Sequence, residues 1–113
     1  MSGFNSEMPE LSPPIAVNAA EWKIIEDILA ELAVGVEVWA FGSRARFTAK
    51  PYSDLDLVFI GAHPLSLSQI ADLANAFSDS NLPFKVDIVD WLTISEDFRK
   101  IISQHYVLIQ KAV

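Results

Sequence analysis

The amino-acid sequence predicts an α/β fold of the α+β kind, a small mixed β-sheet backed by helices. Segments with apolar residues at helical spacing alternate with short runs rich in β-branched and aromatic residues. The short link between the first two runs favours an antiparallel pair, and the helix between the second and third favours a parallel, right-handed crossover. A chain of 113 residues leaves room for one core and no second.

Residues 1–17 carry Gly3, Pro9, Pro13 and Pro14 among small polar residues and are expected as a flexible lead to a single domain over residues 18–113. Asn18 and Glu21 form a capping pair ahead of Trp22, Ile25, Ile28, Leu29 and Leu32, which recur at helical spacing until Gly35 stops the helix. Val36–Phe41 reads as a strand ended by Gly42 and Ser43. Arg44–Ser53, with Pro51, reads as a short helical turn and a loop, and Leu55–Ile60 as a second strand closed by Gly61 and Pro64. Ser66 and Gln69 make a capping box for an amphipathic helix bearing Leu67, Ile70, Leu73, Ala74 and Phe77. Phe84–Val89 is the third core strand. Thr93 and Glu96 suggest a further capping box before Phe98, Ile101 and Ile102, and Tyr106–Gln110 is a short fourth strand.

Hydrophobic residues make up 51% of the chain, mean hydropathy is +0.29, and the net charge is −7. Such a chain is expected to keep an apolar patch for a partner. The acidic balance argues against direct nucleic-acid binding, which needs cations to displace counterions from phosphates. Without cysteine, disulfides and thiolate metal sites are excluded, so any metal must sit on oxygen or imidazole. No basic and apolar leader opens the chain and no apolar run is long enough to span a bilayer, which points to a soluble, cytoplasmic protein without a membrane partner.

Chemistry concentrates in three places. Asp54 and Asp56 are two apart on a predicted strand and so share a face, among Leu55, Leu57, Val58, Phe59 and Ile60. Asp87 has a similar setting, Val86-Asp87-Ile88-Val89, on the strand expected beside it. Carboxylates gathered near a core lose hydration and repel, so a hard cation with oxygen ligands is required, Mg²⁺ first. A lone Asp-x-Asp often marks only a solvated strand end; here Gly42-Ser43 after a strand and a third strand acid set it apart. Glycine permits a sharp turn and close approach by a polyphosphate, while serine opening a helical turn offers a hydroxyl and N–H groups. Arg44 and Arg46 follow, suited to a triphosphate or pyrophosphate. His63 and His105 lack the partners for a transition-metal site, Trp22, Trp39 and Trp91 read as core or partner contacts, and Lys50 and Lys85 as solvated, though either could touch a phosphate. Asp90 reads as a strand-end residue facing away from Asp87.

Gly42-Ser43-Arg44-Ala45-Arg46, Ser53-Asp54-Leu55-Asp56-Leu57 and Val86-Asp87-Ile88-Val89-Asp90 together resemble the signature blocks of the polymerase-beta-type nucleotidyltransferases, and more narrowly their minimal nucleotidyltransferase branch. The likeness spans nearly everything from Asn18 onward. One departure is Phe47, where many of these sequences have glycine after the Arg-x-Arg pair.

The resemblance implies that Asp54 and Asp56 bridge two Mg²⁺ ions about 3.5–4 Å apart, with Asp87 completing the catalytic site and able to act as general base. Gly42, Ser43, Arg44 and Arg46 would bind the nucleoside triphosphate. It further implies ATP as donor and a tyrosine of a HEPN-domain toxin as acceptor, with the protein serving as antitoxin. Self-association would be another way to complete the site. Two rival readings stay open: an antitoxin that acts by masking its partner, and a nucleotidyltransferase acting on a small molecule.

Overall fold

The computed structural model describes residues 12–112. Its elements run α1 (Ala19–Leu32), β1 (Glu37–Phe41), β2 (Leu55–Ile60), α2 (Leu67–Ser78), β3 (Val86–Asp90), a 3-10 turn (Trp91–Thr93), α3 (Glu96–Gln104) and β4 (Val107–Gln110). The sheet has the order β3-β2-β1-β4. β1 is antiparallel to β2 and to β4, while β2 and β3 are parallel, joined by α2 as the crossover. The expected mixed sheet is therefore present, with the short fourth strand at its edge.

Both faces of the sheet are covered. Val38, Ala40, Leu55, Leu57 and Phe59 meet Ile25 and Leu29 of α1 and Leu73 and Phe77 of α2 in the main core. On the other face Val58 and Ile102 are fully buried, Phe41 meets Phe98 edge to face, and Trp39 lies between Trp91 and Tyr106. β2 is central and buried on both sides, which is why Leu55–Ile60 reads as a continuous apolar run broken only by Asp56.

The caps explain the helix starts. Asn18 and Glu21 form the reciprocal box that opens α1, and Ser66 and Gln69 the one that opens α2. The third expected box does not form: Ser95, not Thr93, caps α3 by accepting from Phe98 N at 3.1 Å, and Phe98 has no side-chain acceptor to return the bond. Thr93 is instead held in the 3-10 turn, its hydroxyl donating to Asp90 O at 3.1 Å. Two stripe residues also point outward: Leu67 is 86% exposed in the first turn of α2, and Ile101 lies off the Phe98–Ile102 line by which α3 packs.

Of the expected lead, residues 1–11 lie outside the described residues. Its last part is not a free tail. Ile15 is buried in the main core, Ala16 N donates to Arg44 O at 2.8 Å, and Ala16 O accepts from the Arg44 guanidinium at 2.7 Å. The folded unit thus reaches back at least to Ile15 rather than starting at Asn18, because an apolar side chain behind two prolines reached the core.

Asp90 closes β3 as the strand-end residue expected. Its buried carboxylate accepts from Leu65 N at 2.7 Å and Leu92 N at 3.0 Å, tying the entry of α2 to the exit of β3. Asp90→Ala strands both amides, and urea unfolding is expected to show a loss of about 2–4 kcal/mol.

Candidate active site

The sheet aligns one row of residues across three strands. Phe41 of β1 pairs with Asp56 of β2, and Asp56 pairs with Asp87 of β3. Directly paired residues share a face, so both carboxylates emerge together on the side where α3 packs, at the end of the sheet where β1 stops. Beneath them Leu55, Leu57, Val58 and Phe59 are buried, which leaves β2 no freedom to shift.

The carboxylates interact strongly. Partial burial, the charge of Asp87, a hydrogen bond with Asp87 and the more remote charge of Asp54 raise the Asp56 pKa from 3.8 to about 6. Lys85 answers part of this charge, its ammonium 3.4 Å from Asp87 Oδ1. Lys85 was expected to be solvated; it is mostly exposed, yet alternation along an extended strand places it beside Asp87.

Asp54 stands apart from the pair. It is one residue short of β2 and exposed, so it acts on Asp56 through charge. Among the described residues no three Asp, Glu, His or Cys side chains form a ready cation cage. Asp56 and Asp87 alone fit a Mg²⁺ site of the usual kind, in which one or two carboxylates share the ion with water and substrate phosphates.

Gly42 follows β1 with φ +77, and a Cβ there would collide with the Asp56 carboxylate, whose Cγ would lie at 3.3 Å. Glycine is required on two counts, conformation and space. The chain then makes one helical turn, with Arg46 N donating to Gly42 O at 3.1 Å and Thr48 N to Ser43 O at 2.9 Å. Among the described residues the Ser43 N–H and hydroxyl have no partner, so both are free to meet an anion beside Asp56.

The two arginines part company. Arg44 was expected at the triphosphate, but the guanidinium is buried and donates to the carbonyls of Ala16, Lys50, Pro51 and Ser53 at 2.7–3.3 Å. It also lies 3.8 Å over the Phe84 ring, and burial holds its pKa below the ordinary value. With its donors committed to loop backbone, it is a staple rather than a phosphate ligand. Arg46 is exposed and remains available. His105 Nε2 lies 3.1 Å from Ala45 O, so α3 supports the same turn.

Phe47 adds a feature invisible to residue counting. It has φ +57, the left-handed region that favours glycine, and it is 63% exposed. Such a backbone costs on the order of 1–3 kcal/mol for a residue with a Cβ.

Against known proteins, the family model for polymerase beta nucleotidyltransferases matches residues 23–112. A Haemophilus influenzae protein described as a probable protein adenylyltransferase, MntA, is 48% identical over 95 residues, covering 84% of this chain and 83% of that protein. Two solved structures share the fold. One is a toxin–antitoxin with AMP-PNP (TM-score 0.69, 22% identity, 80% of this chain and 73% of that one). The other is a tri-AMPylated Shewanella oneidensis HEPN toxin in complex with an MNT antitoxin (TM-score 0.63, 22% identity, 81% and 71%).

Two outcomes test this geometry. Arg44→Lys cannot reproduce a planar fork to several carbonyls, and a loss of about 2–4 kcal/mol in urea unfolding is expected, whereas Arg46→Ala should stay within about 0.5 kcal/mol. For Asp56, the folded state holds its proton more tightly than the unfolded chain, so stability is present below pH 3.8 and is lost as pH rises through about 6. In metal-free protein at pH 7, Asp56→Asn should therefore stabilise by about 1 kcal/mol after allowance for solvent screening, and the gain should vanish near pH 3.5 in thermal melts.

Proposed function

Because this chain belongs to the polymerase beta nucleotidyltransferase family, we propose that it is a protein adenylyltransferase that moves AMP from ATP onto a tyrosine of a HEPN-domain toxin and so acts as its antitoxin. The observation that carries this reading is the Asp56–Asp87 carboxylate pair set against the Gly42 turn. The similarity to MntA over most of both chains supports adenylyl transfer. The shared fold with an antitoxin bound to an AMPylated HEPN toxin supports the choice of partner.

In this reading Asp56 and Asp87 would hold Mg²⁺, and Asp54, whose charge already acts on Asp56, would be the further carboxylate for a second ion. When bound, Mg²⁺ supplies Lewis-acid charge at the phosphate oxygens and lowers the pKa of the acceptor hydroxyl. The Ser43 hydroxyl and N–H donate to the β- and γ-phosphate oxygens, and the free Arg46 guanidinium meets the charge of the departing pyrophosphate. Asp87 accepts the tyrosine proton while the phenolic oxygen attacks the α-phosphorus in line and the bond to pyrophosphate breaks. Gly42 keeps the Asp56 carboxylate close to the serine turn, which brings phosphate donors and metal ligands to one place.

Incubation with ATP, Mg²⁺ and a HEPN-domain partner should add the mass of AMP to a tyrosine of that partner. Asp56→Ala should lower transfer more than a hundredfold, about 3 kcal/mol or more of transition-state stabilisation, with the circular-dichroism melt retained, and chelation should abolish it. Tight complex formation with no added mass would instead make the protein a masking antitoxin, and unchanged turnover in a folded Asp56→Ala would remove the acid pair from the mechanism.

A further inference from the structure

The turn that opens at Ser43 closes on a residue its geometry disfavours. Thr48 N donates to Ser43 O at 2.9 Å, the bond that closes a helical C-terminus with a left-handed residue just before the donor. That left-handed place is Phe47, at φ +57. Glycine suits it, because a Cβ there crowds the backbone carbonyl. Burial does not offset the strain among the described residues, since Phe47 is 63% exposed and lies outside the core.

Its surroundings indicate what the ring meets. Gly42, which abuts the Asp56 carboxylate, opens the turn and Phe47 closes it, its ring largely in solvent. Tyr52, 79% exposed, lies on the segment that Arg44 staples to the same turn through the carbonyls of Lys50, Pro51 and Ser53. Exposed Arg46 precedes the ring. An exposed aromatic ring next in sequence to an exposed arginine, with a second exposed aromatic on the stapled loop, is the residue composition of protein-binding hot spots, whereas a small ligand is usually enclosed in a concave pocket.

We propose that Phe47 is an anchor for the acceptor-bearing protein and sets which acceptor is served, leaving donor binding to the other end of the turn. This rests on the adenylyl-transfer reading above. A contact with that protein gives the strained residue a use that this chain alone does not.

Phe47→Gly and Phe47→Asn remove both ring and strain, and Phe47→Leu keeps an apolar side chain with the strain. The first two are expected to melt about 4 °C or more above the wild type. Their Kd for the HEPN-domain partner, read by calorimetry without ATP, should weaken about tenfold or more, with Phe47→Leu between. Affinity for the fluorescent nucleotide mant-ATP should not change. An unchanged partner Kd would overturn the proposal, as would lost mant-ATP affinity, which assigns the ring to the nucleobase, or a lower melting temperature, which assigns it to the fold. Because partner binding is read without catalysis, Phe47-dependent binding with no AMP added would sink only the transfer reading. AMP addition with a partner affinity that Phe47→Gly leaves intact would sink only the anchor, and a wild type that does not bind the partner would overturn both.

Discussion

Asp56 and Asp87 occupy directly paired positions on parallel strands, and the repulsion between their charges is the constraint around which this domain is arranged. Two carboxylates with a free choice would move apart or remain protonated. Neither strand has that choice. Leu55, Leu57, Val58 and Phe59 are buried on β2, each worth roughly 1.5–3 kcal/mol against exposure, which together outweighs what burial and the neighbouring charges cost Asp56. The apolar core therefore holds the acids in an arrangement unfavourable to them alone. The pair also sits at the end of the sheet, where a cation and phosphates can arrive from water, and not at its middle, where nothing could relieve it.

The same economy of charge separates the two arginines. Segments around Ala16 and Lys50–Ser53 lack a ladder of their own, and their carbonyls need donors. A guanidinium supplies several in one plane, tolerates the desolvation that lowers its pKa, and rests its face on Phe84. Arg44 thereby ties the loop between β1 and β2 to the turn that carries Ser43. Arg46, two residues on, is left exposed, the guanidinium of the pair that is not committed to the loop backbone.

Element order, strand directions and the row of acids were legible because each rests on local pattern: capping boxes at Asn18 and Ser66, an uninterrupted apolar run at Leu55–Ile60, a helix where a parallel crossover needs one. What escaped depended on distant contacts. Nothing near Arg44 in sequence says that Ala16 needs a donor, and nothing near Ile15 says that the core has a place for it. Ser95 and Thr93 are both sound caps, and the choice fell to Asp90, which by capping the 3-10 turn delays α3. Asp54 reads as a strand residue by periodicity, yet pairing of β2 with β3 starts at Leu55, so its carboxylate is left in solvent.

The turn from Gly42 to Thr48 joins these threads. Its two ends each require a positive φ, at Gly42 so that the backbone can pass the Asp56 carboxylate and at Phe47 so that the chain can leave the turn. Glycine answers the first demand and is irreplaceable there, because the space is already filled. The second end meets open solvent, so a larger residue is sterically admissible at the cost of backbone strain alone. That strain is borne because the turn is held from several sides at once: Arg46 N to Gly42 O, Thr48 to Ser43 O, Arg44 to two segments, and His105 beside Ala45 O. A turn held by fewer contacts would relax around Phe47 and let Ser43 drift from the acids. Tolerance of an unfavourable residue at one end is thus a measure of how firmly the other end is fixed, and firmness at Ser43 is what the proposed phosphate-binding role of this turn would need.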